Sequence, residues 1–279
     1  MKLAYAISAS PTRFAAVAQG LPLPEAIRYL GSLGYAGVEL AIRDPAQVNV
    51  EEIAACAREA GVFIPAIGTG QAFVEEGLAL SSSDEGVRAR AAARLEAHLV
   101  PARRLGALLI IGLIHGPIPP DADRGQAMGW LLAGLAQVSR RARELGVRIV
   151  IEPVNRYESN WLNTVGEVMD LIDRLGTDNV GVLPDTFHMN IEEHDIGDAI
   201  AAARPRLWHM HVADSNRRAP GAGHIRFGEI IARLRAIGYA ETVSAEILPL
   251  PNFNEAAVQT VAAMRPLVGP RQDSAALDR

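Results

Sequence analysis

Short β-type apolar runs and amphipathic helical runs alternate eight times along the 279 residues, and this alternation limits the fold more than any other feature of the chain. The pattern predicts strands at Leu3–Ser8, Gly37–Ile42, Phe63–Gly68, Leu108–Leu113, Arg148–Pro153, Val180–Asp185, Leu207–Ala213 and Thr242–Ile247. Helices are expected between and after them, at Pro24–Leu33, Val50–Ala60, Asp84–Leu105, Arg124–Leu145, Val165–Leu175, Ile196–Ala203, Phe227–Ile237 and Asn254–Leu267. Several of these helices end in glycine, as at Gly34, Gly61, Gly106, Gly146 and Gly238, where a left-handed cap would end each one before the next strand. Eight βα units of this size predict an α/β fold, a single (β/α)8 TIM barrel, over residues 1–268. An open doubly wound sheet is the alternative, but no GxGxxG turn follows the first strand. The segment 269–279 is polar, has no periodic apolar face, and is expected to be a flexible tail.

Composition removes several classes of function. A net charge of −5 argues against a phosphate-tracking nucleic-acid surface and against an anionic membrane. No apolar run reaches the roughly 18 residues of a spanning helix, and Met1–Ile7 reads as a first barrel strand rather than a signal peptide. Cys56 is alone and lies in a helix, so no disulfide framework is expected and the cytoplasm is the expected location. Lys2 is the only lysine. Schiff-base chemistry needs an amine that can lose its proton, and arginine cannot supply one.

Four strand-like runs in the second half each end on a residue able to ligate a metal. They are Val147–Ile151 into Glu152, Val180–Pro184 into Asp185, Leu207–Met210 into His211 and Thr242–Ala245 into Glu246. The gaps of 33, 26 and 35 residues are each about one βα unit, so strands five to eight would deliver them to one side of the barrel mouth. Any one of them is equally well a polar residue where a strand meets a loop. Three carboxylates and one imidazole in consecutive repeats instead make an oxygen-rich cage for one divalent ion, Mn²⁺ first, with Co²⁺ or Mg²⁺ as alternatives. Structural zinc would prefer thiolates or more imidazoles.

The segments Ile151-Glu152-Pro153-Val154-Asn155-Arg156-Tyr157-Glu158, Asp185-Thr186-Phe187-His188-Met189-Asn190 and His211-Val212-Ala213-Asp214-Ser215-Asn216-Arg217 resemble the ketose 3-epimerases, of which D-tagatose 3-epimerase is the best-known type. These belong to the xylose isomerase-like barrels. Within that group, Ala66-Ile67-Gly68-Thr69-Gly70-Gln71-Ala72 and the stretch from Ala213 to Gly221 look closest to the 5-keto-L-gluconate epimerases. The resemblance implies that Glu152, Asp185, His211 and Glu246 bind the metal and that Glu158, His188 and Arg217 hold substrate oxygens. It also implies a small sugar substrate and a homo-oligomer, dimer or tetramer.

Epimerisation beside a ketone removes a weakly acidic proton and leaves a cis-enediolate, which a Lewis acid stabilises as it forms. A base on one face of the carbon and an acid on the other are then required, and Glu152 and Glu246 are the candidates. His188 is expected in the loop after strand six, either donating to a substrate oxygen or satisfied within the loop. Arg217 is either a forked anchor for substrate oxygens or an exposed cation. His115, ending strand four, is a candidate substrate contact. His209 is expected deeper in the barrel as a hydrogen-bonded interior residue, with Glu39 and Asp214 orienting ligands. Backbone amides of Gly221–His224 would suit an anion or form a lid, and Phe14 and Trp161 would wall the pocket or simply pack. Aldose–ketose isomerisation and sugar or inosose dehydration use the same barrel chemistry. An endonuclease IV-like repair enzyme would need more histidines and a basic groove, and a non-catalytic sugar-binding barrel would not need four ligands.

Overall fold

A computed structural model describes residues 1–269 of the chain. The eight strands are β1 (Lys2–Ser8), β2 (Gly37–Ala41), β3 (Ala66–Gly68), β4 (Leu108–Ile111), β5 (Ile149–Ile151), β6 (Val180–Val182), β7 (Met210–Val212) and β8 (Thr242–Ala245). All pair in parallel in the order β6-β5-β4-β3-β2-β1-β8-β7. Two bridges, Val182 with Leu207 and Asp185 with His211, join the outer strands and close the ring. The fold is the expected (β/α)8 barrel.

The helices are α1 (Leu23–Ser32), α2 (Val50–Glu59), α3 (Gly70–Glu76), α4 (Glu85–Leu105), α5 (Arg124–Glu144), α6 (Val165–Leu175), α7 (Thr186–Glu192), α8 (Ile196–Ala203), α9 (Phe227–Ala236) and α10 (Phe253–Val268). Asp123 and Thr164 start α5 and α6 with reciprocal capping boxes to Gln126 and Glu167. The five glycines expected to follow helices all have positive φ, between 67° and 85°. From residue 270 on, the expected flexible tail lies outside the described residues. Among the described residues no helix is long and apolar enough to cross a membrane.

Strand side chains alternate between two apolar layers. Tyr5, Ile7, Val38, Leu40, Leu109 and Ile151 join the large core beneath the helices. Ala66, Leu108, Ile110, Val150 and Leu183 form a separate cluster within the ring. Burial on both faces explains why the strands read as continuous apolar runs. Several ladders are shorter than the extended runs suggest. Pro153 and Pro184 have no N–H to continue the pairing, so regular strand ends before Glu152 and Asp185 while the extended chain carries both side chains into the mouth.

Candidate metal centre and substrate pocket

Glu152, Asp185, His211 and Glu246 all reach the C-terminal end of the ring, each at most 8% exposed, and each offers one ligand atom within 4.8 Å of the others. The sequence-predicted cage is therefore assembled by β5, β6, β7 and β8 in turn. Asp185 shows how the local fold prepares a donor. It is the N-cap of α7, and its Oδ1 accepts from the Phe187 N–H at 2.9 Å, while Oδ2 is buried with no hydrogen-bond partner. An orphaned carboxylate oxygen costs free energy unless a cation occupies the space in front of it.

The electrostatics agree with that fit. Burial, reinforced by Glu246 and Asp185 and partly offset by His211, pushes Glu152 up to about 8. Burial, together with Glu246, raises Asp185 to about 6 despite His211. For His211, burial opposes the charged form, but Glu39 and Glu152 outweigh it and hold the imidazole well above its ordinary value. Carboxylates crowded around one imidazole, each disfavoured in its charged form by burial and by its neighbours, fit a site suited to a divalent cation.

Beneath the cage Glu39 grips two histidines. Its Oε1 lies 2.9 Å from His211 Nε2 and its Oε2 lies 2.7 Å from His209 Nε2. His209 is thus an interior hydrogen-bonded residue, as expected. Burial opposes ionisation of Glu39, yet the two histidines hold it well below the usual carboxylate range. Gly112, after β4, is where Glu152 needs room: a Cβ there would sit 2.9 Å from Glu152 Oε2.

His188 belongs to the first turn of α7, not to the expected loop, because Asp185 caps a helix that starts at Thr186. Its Nδ1 receives the Asn155 backbone N–H at 3.2 Å and the Asn155 side-chain N–H at 2.7 Å. The Asn155 amide is itself oriented by Oδ1, which accepts from the Tyr157 N–H at 2.9 Å. Two donors on Nδ1 leave the proton on Nε2, which lies 4.0 Å from Asp185 Oδ2 and faces the cavity. Burial, Arg217 and His211 lower its pKa well below the ordinary value, so His188 is a neutral donor.

Arg217 donates to Glu158 at 2.7 Å and to Glu246 at 3.3 Å, and its guanidinium lies 5.4 Å from the Phe14 ring centroid and 5.0 Å from that of Phe187. Its backbone adopts the left-handed φ of 58°, fixed by its N–H to Asp214 O and by Leu248 N–H to its own carbonyl. Asp214 organises this loop, accepting from the N–H groups of Ser215, Gly221 and Ile225. The anion that meets the Gly221–His224 segment is thus the protein's own Asp214 carboxylate.

Glu152, Glu158, His188, His211, Arg217 and Glu246 line one cavity together with Phe14, which packs on Arg217, and with Thr69 and Gln71 across the ring from His211. The cavity is narrow: only about 30 Å³ of it can be reached by the centre of a water molecule, room for a few waters and not for a sugar. Substrate entry therefore requires the Arg217 ion pairs or the facing wall to yield. A roomier cleft of about 400 Å³ lies outside the ring between α7, α8 and α9, but its His194 and His224 are exposed and unshielded from water.

The chain matches the model of the xylose isomerase-like TIM barrel over residues 27–267. The chain belongs to this family. The D-psicose 3-epimerase of Agrobacterium fabrum is 35% identical over 227 residues, 79% of this chain and 77% of that protein. The L-ribulose 3-epimerase of Mesorhizobium japonicum is 35% identical over 216 residues, 76% of this chain and 71% of that one. A crystal structure of D-psicose 3-epimerase in the presence of D-fructose superposes with a TM-score of 0.81 at 28% identity, covering 97% of this chain and 100% of that chain. The protein is accordingly an enzyme of the isomerase class, an epimerase.

A further sequence expectation fails in this epimerase, that of His115, while Trp161 takes the packing alternative. His115 does not line the cavity: a 3₁₀ turn over Leu113–His115 carries it into the protein, where Nδ1 pairs with Gly116 O at 2.7 Å and the ring packs against Trp161. Trp161 is fully buried with its Nε1–H on the same carbonyl, so it supports the wall from behind without forming it. Asn155, Phe187 and Gln71 are among the lining or supporting residues with no role assigned from the sequence. Asn155 has a signal, falling three positions after Glu152. Phe187 and Gln71 have none, because the two short helices that place them, α7 and α3, are too brief for a helical period to show.

Proposed function

We propose that this enzyme inverts carbon 3 of a ketose, with Glu152 and Glu246 acting as the acid–base pair on opposite faces of that carbon. The observation that carries the reading is the convergence of two buried glutamates from β5 and β8 on one donor cluster, with Asp185 and His211 between them in chain order. A divalent cation, Mn²⁺ in our reading, would supply Lewis-acid polarisation of the carbonyl and its neighbouring hydroxyl when held by Glu152, Asp185, His211 and Glu246.

The chain's own groups do the rest. One glutamate removes the proton at C3 and the other delivers a proton to the opposite face. Positioned groups of this kind contribute about 10²–10⁴-fold each. His188, fixed as the Nε2–H tautomer by Asn155, offers a neutral hydrogen bond to an oxygen gaining charge beside the reacting carbon. Arg217 leaves one carboxylate partner to fork onto substrate oxygens, and its burial between Phe14 and Phe187 keeps water from the enediolate.

Proton NMR in D₂O tests this. The Mn²⁺-loaded enzyme is incubated with ketohexoses, ketopentoses and keto-gluconates, and the metal is removed before spectra are taken. Deuterium is expected at C3, and Glu152→Gln and Glu246→Gln are each expected to abolish its incorporation. Label at C1 or C2 alone would replace the epimerase reading with aldose–ketose isomerisation. Substantial activity surviving in both variants would remove the two-glutamate scheme.

A further inference from the structure

Across the ring from His211 and Arg217, the cavity wall contains a buried hydrogen-bond acceptor with nothing to accept. Gln71, in the first turn of α3, is 1% exposed, and its Oε1 has no partner. The orientation of its amide is fixed by a count of protons. The Ser8 hydroxyl donates its one hydrogen to Ser10 O at 2.5 Å and accepts from the Ser10 N–H at 3.3 Å. Its remaining lone pair can only meet a donor, so the Gln71 atom 2.7 Å away is Nε2–H. Oε1 is then turned away from Ser8, in a residue that lines the cavity. Leaving such an atom dry is unfavourable, and a ligand O–H would relieve it.

The charges around the cavity point the same way. Four glutamates (Glu39, Glu152, Glu158 and Glu246) line it against the Arg217 guanidinium and the His211 ring; Arg217 is already shared between Glu158 and Glu246, and His211 between Glu39 and Glu152. On the Gln71 side the lining residues at and after the ends of β2 and β3 are Ala41, Gly68, Thr69, Gly70 and Gln71, none of them charged, and the Thr69 hydroxyl is spent on Ile110 O. A carboxylate or phosphate placed there would meet an acceptor and no compensating charge.

The geometry points to Gln71 Oε1 as the acceptor for a hydroxyl on the part of the substrate remote from the reacting carbon, which makes the substrate a neutral ketose rather than a keto-sugar acid or sugar phosphate. This rests on the ketose reading above and sharpens it, and it runs against the keto-gluconate likeness of the Gly68–Ala72 segment.

The test uses the Mn²⁺-loaded enzyme with a ketohexose that it binds, the same sugar deoxygenated singly at C4, C5 or C6, and 5-keto-gluconate. Binding is measured by calorimetry alongside deuterium exchange at C3. Wild type is expected to bind one deoxy sugar about 10- to 100-fold more weakly than the parent. Gln71→Leu is expected to bring the parent down to that level while leaving that deoxy sugar unchanged. Gln71→Glu keeps an acceptor that the Ser8 hydroxyl can turn to support, and it is expected to recover most of the loss.

Equal weakening of every sugar by Gln71→Leu, or no weakening at all, overturns the assignment, as does tighter binding of 5-keto-gluconate than of any ketohexose. Should Gln71→Leu not fold, wild type indifferent to all three deoxygenations overturns it equally. Binding that shows the Gln71 pattern without C3 exchange removes the epimerisation reading and leaves the acceptor in place. Exchange without the pattern does the reverse, and no binding of any ketohexose removes both.

Discussion

Glu39 Oε1 lies 2.9 Å from His211 Nε2, so the imidazole that β7 brings to the cage is clamped from below by a carboxylate on β2. Donation through Nε2 commits Nδ1 to the upper side, where it lies 3.3 Å from Glu152 Oε1. Nδ1 is thus the nitrogen that would meet a bound cation, and Glu39 would set its basicity and direction. Glu39→Gln keeps the shape but weakens the clamp. Its Mn²⁺ affinity is expected to fall about 10- to 100-fold, the usual cost of losing such a partner, with the circular dichroism spectrum unchanged. Isothermal titration calorimetry measures this directly, and an unaltered Kd would show that Glu39 is only a core polar residue.

Cation uptake should release protons. With the cage free of metal, burial and neighbouring carboxylates push Glu152 up to about 8, and Glu39 and Glu152 keep His211 protonated. A ligand must shed those protons, so at least one should appear per Mn²⁺ bound at pH 7, and fewer at pH 9. The same shifts set the metal-free stability. A folded pKa above the unfolded one stabilises the fold at low pH and loses that contribution as pH rises, here through about 8 for Glu152. The metal-free Tm is expected to fall from pH 6.5 to 8.5 and the Mn²⁺-loaded Tm to stay level. Burial shifts His98, His115, His188 and His209 all downward, away from that window.

The barrel and the four cage donors were legible because each repeats. Eight alternations give the ring, and Glu152, Asp185, His211 and Glu246 recur at the same point of successive units. What stayed hidden was short or non-local. The three-residue turn that buries His115 behind Trp161 has no period, and the Asn155–His188 pairing spans 33 residues with no sequence pattern linking the two. Asp185 is both a helix cap and a candidate metal donor, and only the second was suggested by the strand pattern.

Gly112 is expected to be intolerant of any side chain. A Cβ at this position would lie 2.9 Å from Glu152 Oε2, inside contact distance, and Glu152 is held on its other side by His211. Gly112→Ala should push the carboxylate out of register by a fraction of an ångström. Displacements approaching 1 Å cost on the order of 10²-fold, so this smaller shift should lower kcat/KM for C3 exchange by about 10-fold or more, up to that factor. Gly129, where a Cβ meets nothing within 4 Å, supplies the control, and Gly129→Ala should retain full activity.

The tautomer of His188 is set by Asn155, and that dependence can be read without turnover. Both donors on Nδ1 come from Asn155, one from its backbone and one from its side chain, whereas burial and the nearby Arg217 oppose any second proton on the ring. Nitrogen-15 NMR of wild type should therefore show a neutral imidazole protonated at Nε2 across pH 6 to 8. Asn155→Asp replaces the side-chain donor with an anionic acceptor, which favours a proton on Nδ1 and raises the ring's pKa toward the neutral range. The Nδ1 resonance should then move to the protonated position at pH 6. If His188 donates to a substrate oxygen through Nε2, the variant should keep that donor while gaining a positive charge, so its kcat should depend on pH between 6 and 8 where that of wild type does not. A variant whose His188 resonances match wild type would place control of the tautomer elsewhere in the pocket.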